Sequence, residues 1–237
     1  MCFSANASFA SSAALIPSGI WAVKASMKPG LRRYIPLAVV PILFGVQQFA
    51  EGMVWRSLEM GEAGRHMLRV SSTAFLFFAL SFWPFWMPFT AMMVERRMGR
   101  RVFMGVMMVL GVIAGNIMFG PVANDTGSWL QTRVVCDSIS YHYGGTTLFP
   151  SATTAMIRTA YLLVAGLPLL LCTDKVVFRF GVLLALSAAG THYFYTHAFA
   201  SVWCFFAALM SGYICWSLSG KRWAWPFSFR SLHLRHT

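Results

Sequence analysis

Apolar residues recur along this chain in long, nearly unbroken runs, separated by short connections rich in Lys and Arg. Runs of the length needed to cross a bilayer, about 20 residues, fall near 5–23, 34–55, 70–94, 102–120, 157–173, 180–197 and 199–218. Each predicts a transmembrane helix. The third is long enough to tilt or bend, and the last two are divided only by the polar stretch around His197. The connection 121–156 differs from the rest. It contains "TRVVCDSISYHY", rich in β-branched and aromatic residues, with "GG" following as a turn signal. This pattern predicts a short β-ribbon capping the bundle, since a connection that long without structure of its own is uncommon. The expected fold is all-α: a seven-transmembrane helix bundle over residues 1–220, with a small extracellular β-ribbon in the helix 4–5 loop and a basic tail at 221–237.

Composition supports the membrane class. The chain of 237 residues is 57% hydrophobic and 11% charged, against about 25% charged in soluble domains. A net charge of +12 would suggest nucleic acid in a soluble protein, but here the cations lie between apolar runs. Lys24, Lys28, Arg32, Arg33, Arg96, Arg97, Arg100, Arg101, Lys175, Arg179, Lys221, Arg222, Arg230 and Arg235 fall on one side of a seven-span chain, 14 of the 19 Lys and Arg residues. Arg56, Arg65, Arg69, Arg133 and Arg158 fall on the other. Short basic loops stay in the cytoplasm, so the N-terminus is expected outside and the C-terminus inside. The expected partner is the lipid bilayer, with no nucleic acid. No Lys or Arg precedes Lys24, so the first run reads as an uncleaved anchor and not a secretory leader.

Polar residues inside the spans carry the candidate chemistry. Glu51 lies four residues after Gln47 and three after Gln48, with Trp55 four further on, so all share one broad helix face. Glu51 lies 17 residues from Tyr34, about 25 Å at about 1.5 Å per residue, in the outer part of the membrane. His197 is equally far along the sixth run, and His192 lies one turn deeper. Asn116 reaches a similar depth, and Ser201 opens the seventh run. An ionisable group in a membrane span marks a functional candidate, and these residues predict a polar pocket facing outward, with His192 or His197 answering Glu51. The same side chains could equally serve as hydrogen-bonded glue between helices.

Pro84 and Pro88, in "LSFWPFWMPF", sit one turn apart in the third run. Each removes a backbone donor and frees a carbonyl about one turn earlier, near Leu80 and Pro84. Cys2 and Cys136 both fall on the outer side, making a disulfide candidate, while Cys172, Cys204 and Cys215 read as buried apolar fillers. His192 and His197 are five apart and diverge around a helix, so no metal site is expected from them. Cys136, Asp137 and His142 fit no strong metal signature.

The opening "MCFSANASF" resembles the start of an uncharacterised bacterial family of multi-pass membrane proteins beginning Met-Cys-Phe-Ser. The likeness extends to "LFGVQQFAEGMVW", "FWPFWMPF" with the following "ERRMGRR", and "SVWCFFAALMS". Its motif residues here are Cys2, Ser4, Gln47, Glu51, Pro84, Trp203 and Cys204. The resemblance implies a multi-pass protein of a bacterial inner membrane and brings no activity or cofactor. Lysines only at Lys24, Lys28, Lys175 and Lys221, all at span edges, exclude a retinal Schiff base. The seven-helix zinc hydrolases need a histidine in the second helix and an Asp in the third, and neither is present. The leading expectation is a binding or sensing protein for a small molecule. The alternatives are an intramembrane metal-dependent hydrolase and a structural subunit held by a membrane-protein partner.

Overall fold

The computed structural model describes residues 4–124, 130–135, 138–143, 151–194 and 199–218. Ser4 caps the first helix by accepting a hydrogen bond from the Ala7 N–H, and α1 runs Ala5–Ser26. A 3-10 turn at Arg32–Tyr34 leads into α2, Ile35–Glu59, where Pro36 occupies the first turn and needs no donor of its own. Next come α3, Arg65–Leu76, a π-helical stretch at Phe77–Phe82, and α4, Trp83–Val94. These three form one continuous rod. Helix α5 spans Met98–Ala123. Strands β1, Leu130–Val135, and β2, Ser138–Tyr143, precede α6, Ser151–Leu171, α7, Lys175–Phe194, and α8, Phe199–Leu218.

Five of these helical segments are long and apolar enough to cross a membrane: Arg32–Glu59, Gly61–Val94, Met98–Ala123, Lys175–Phe194 and Ser201–Leu218. With α1 and α6 the described rods number seven. Successive rods alternate in direction. One end of the bundle carries the basic connections and the other carries the ribbon. The ribbon is antiparallel, with Leu130 opposite Tyr143 and Val135 opposite Ser138. The register brings Val135 and Ser138 together ahead of the Gly-Gly pair that reads as the turn signal. Ile139 is fully buried, Tyr141 stacks on Phe75 with ring centroids 5.1 Å apart, and Thr132 meets Ser72 at 3.1 Å, so the ribbon is seated on α3.

The proline pair acts as the sequence expects, with a shift of one residue. In the π stretch a carbonyl awaits the N–H five residues on, and for Ala79 that residue is Pro84, which has none. Tyr161 of α6 supplies the missing donor, its hydroxyl lying 2.7 Å from the Ala79 carbonyl. Trp86 Nε1, 3.2 Å from the Pro36 carbonyl, ties the rod to the start of α2.

The basic end is closed by two carboxylates. Asp174 Oδ1 caps α7 by accepting from the Val176 and Val177 N–H groups, and its Oδ2 accepts from the Tyr34 hydroxyl at 2.5 Å. Glu95 Oε1 accepts from the N–H groups of Arg96 and Arg97, 2.8 Å each, and from the Thr173 hydroxyl at 2.7 Å, while Oε2 takes the Thr173 N–H at 2.8 Å. Burial alone would raise the Glu95 pKa. The donors from Arg97, Thr173 and Arg96 outweigh it and hold the carboxyl down from 4.5 to about 2. Because the folded value is the lower one, this contribution is complete above pH 4.5 and is lost as pH falls towards about 2. Acid titration of the detergent-solubilised protein should show stability falling across that window. Glu95→Gln should be less stable at neutral pH and flatter between those limits; parallel profiles for the two proteins would refute the assignment.

Candidate functional site

The most polar part of the interior lies at the seam between two apolar clusters. Phe44, Trp83 and Met87 belong to the larger, and Ala50, Phe75 and Cys204 to the smaller. Helix α2 presents Gln47, Gln48 and Glu51 to this seam, and all three are at most 1% exposed. Glu51 follows Gln48 by three residues and Gln47 by four, which puts them on one face. Glu51 Oε1 accepts from the Ser201 hydroxyl of α8, a very short contact, and Oε2 accepts from Gln48 Nε2 at 3.1 Å. Gln47 Oε1 accepts from Trp83 Nε1 of α4 at 2.8 Å. The Trp83 ring stacks on Phe44, centroids 4.0 Å apart. Cys204, one turn beyond Ser201, is buried beside Gln47 and Glu51. Three helices thus meet through one hydrogen-bonded cluster.

The cluster is incompletely satisfied. Gln47 Nε2, Gln48 Oε1 and Trp55 Nε1 are buried and have no hydrogen-bond partner among the described residues. The partners already made fix which end of each amide is oxygen and which is nitrogen. The nearby Cys204 sulfur is a weak acceptor and does not complete the Gln47 amide. Native interiors leave few such groups unpaired, and each calls for water, an ion or a ligand.

The expected site residues divide accordingly. Gln47, Gln48, Glu51 and Ser201 come together, and Trp55 stands one turn beyond Glu51. Asn116 does not join them: it is exposed on α5, and its side-chain amide bonds back to the Val112 carbonyl at 2.8 Å. Depth along a helix places a residue in a layer but leaves its direction around the axis open, and Asn116 points away. His192 is exposed in the last turn of α7, while the two oxygens of Glu51 are engaged by Ser201 and Gln48. His197, Cys2, Cys136 and the tail 221–237 lie outside the described residues, as does the proposed Cys2–Cys136 disulfide. Cys172, Cys204 and Cys215 are buried free thiols. Among the described residues no three His, Cys, Asp or Glu side chains gather into a metal-binding group.

Beside the cluster lies a cavity of about 360 Å³ enclosed by α6, α7 and α8 against Phe44, Trp83 and Met87. Small residues make the room: Ala165 and Gly166 on α6, Ala185, Ala188 and Ala189 on α7, and Ala207 on α8. Its wall is almost wholly apolar. The polar exceptions are His192, Trp203, Cys204 and the Trp83 ring whose N–H is held by Gln47. Leu163 at the rim is 53% exposed, and Ala185, Ala189 and His192 are exposed beside it, so the cavity opens sideways between α6 and α7. Polar residues within the spans give no sign of this cavity. Two signals pointed to it: Trp83 lies next to the helix-bending Pro84, and alanines are dense in "ALSAAG".

The chain belongs to the Family of unknown function (DUF6629), which matches it over residues 1–226. This fits the resemblance to an uncharacterised family. No curated protein and no solved structure matches the chain.

Proposed function

We propose that this is a multi-pass membrane protein that binds an apolar, bilayer-derived molecule in the cavity between α6, α7 and α8. The observation that carries the reading is an apolar cavity with a lateral mouth, backed by a buried polar cluster that keeps unpaired groups. Ligand pockets are mostly apolar with a few fixed polar groups, and about 300 Å³ is their lower size. At about 360 Å³ this one suits a single hydrocarbon chain or a small ring system. The basic end is read as cytoplasmic, from the 14 cations on that side, and the ribbon end as facing outward. A ligand in the cavity would press on Trp83 and Cys204. Through Gln47 and Ser201 it would bias how α2, α4 and α8 pack, which is the arrangement a sensor requires. The pocket is thus apolar and lateral, with the predicted polar residues behind its wall.

A photoreactive alkyl-diazirine fatty acid, incubated with the protein in nanodiscs, tests this. Crosslinks should concentrate on cavity residues of α6, α7 and α8. Ala188→Phe, which fills the cavity from a buried position, should reduce them at least about fivefold without loss of stability, as cavity filling is commonly neutral or stabilising. Labelling that is unchanged in Ala188→Phe, or spread evenly over outward faces such as that of α5, would overturn the reading.

A further inference from the structure

The basic end holds a second cavity, of about 380 Å³, that the fold does not use. Arg33, Val94, Arg96, Thr173, Asp174 and Lys175 line it. The three cations come from three separate connections: Arg33 precedes α2, Arg96 joins α4 to α5, and Lys175 opens α7. Convergence of this kind is not required by charge placement for topology, which needs only that cations be on the right side.

The acids here are already committed. Asp174 is engaged by two backbone N–H groups and Tyr34, and Glu95 behind it by four donors from Arg96, Arg97 and Thr173. Among the described residues the side chains of Arg96 and Lys175 have no ion-pair or hydrogen-bond partner. Arg33 donates to the Tyr34 hydroxyl at 3.1 Å, but its Nε is buried and unpaired among the described residues. A concave site therefore presents an arginine fork, a second guanidinium and an ammonium, with the neighbouring carboxylates turned to other work.

We propose that this cavity binds a phosphate group, either the headgroup of an anionic phospholipid or a free phosphate. Planar guanidinium groups match phosphate oxygens two at a time, and a lysine adds a point charge. The position at the ends of the spans is where a lipid headgroup lies, and basic pockets between transmembrane helices on the cytoplasmic side suit such headgroups.

The test uses the full chain in micelles of neutral detergent. Retained phosphatidylglycerol is counted by native mass spectrometry, and thermal stability is followed with phosphatidylglycerol, phosphatidylcholine or inorganic phosphate added. Three double variants are compared with the wild type. R96Q/K175Q removes two cations from the cavity, R96K/K175R keeps the charges, and K24Q/K28Q removes two cations of the same end outside it. The expected result is retention of phosphatidylglycerol and stabilisation by it over phosphatidylcholine, weakened about tenfold or more in R96Q/K175Q alone. Stabilisation by inorganic phosphate with the same variant dependence would assign the site to a soluble phosphate; a response to the lipid alone would assign it to a headgroup. Equal weakening in R96Q/K175Q and K24Q/K28Q, or no response to either phosphate source, would overturn the proposal.

Discussion

Gly111→Ala should destabilise the protein by about 3 kcal/mol or more, the upper range for overpacking a close-packed interior, although it puts a better helix former into α5. The carbonyl of Pro84 is left without a helical donor because residue 88 is also proline. Helix α5 packs directly over that carbonyl. A Cβ on Gly111 would lie 2.5 Å from the Pro84 carbonyl carbon and closer still to its oxygen, and 3.1 Å from the Phe85 nitrogen. All three atoms are backbone in a rod pinned by Tyr161 and Trp86, so none can rotate aside. Gly115, one turn on, faces Ser81 in the same way, its Cβ position 2.8 Å from the Ser81 carbonyl oxygen. Gly99→Ala on the same helix meets nothing within 4 Å and should gain up to about 1 kcal/mol from helix propensity. Thermal unfolding of the two variants in detergent separates the effects. Similar small shifts for both would show that α4 and α5 do not meet backbone to backbone.

That contact shows what a single sequence displays and what it hides. "GVIAG", residues 111–115, is a small-xxx-small pattern of the kind that lets membrane helices approach closely, and it was readable without a structure. Pro84 and Pro88 likewise announced free carbonyls. Periodicity could not reveal that the rod winds as a π-helix over Phe77–Phe82. That winding moves the free carbonyl from Leu80 to Ala79 and hands it to Tyr161. Depth along the helices puts Gln47, Glu51 and Ser201 in one layer, and Glu51 does meet Ser201. It groups Asn116 with them, and Asn116 faces away. Length along a helix is a one-dimensional quantity, whereas the neighbour a residue finds depends on the order of helices around the bundle. Glu95 shows the opposite failure. It reads as one charge beside "RRMGRR", and two of its four hydrogen bonds, those from Thr173, exist only because the α6–α7 connection lies beside the α4–α5 connection.

Glu51→Ala should cost about 2–5 kcal/mol, because each buried donor left unpaired costs about 1–3 kcal/mol and the void adds to that. The substitution strands the Ser201 hydroxyl and the Gln48 Nε2, both fully buried, in a cluster that already holds unpaired amide atoms. It also leaves a void at the seam of the two apolar clusters. Glu51→Gln keeps the shape and one acceptor. Its new amide can donate to the Ser201 hydroxyl while its oxygen accepts from Gln48, so the loss should be nearer about 1 kcal/mol. Ser201→Ala removes the other end of the contact and leaves Glu51 Oε1 without its donor. If Glu51 and Ser201 act as one unit, the Glu51→Ala/Ser201→Ala double variant will be more stable than the sum of its parts implies, with a coupling of about 0.5–3 kcal/mol. Full additivity would mean that the contact joining α2 to α8 carries no energy of its own. Glu51→Gln also tells the structural role of the cluster from its role behind the cavity. Fatty-acid labelling at wild-type level in that variant would leave Glu51 as helix glue. Labelling that falls while the fold holds would mean the carboxylate is felt through Cys204 and Trp83 at the cavity wall.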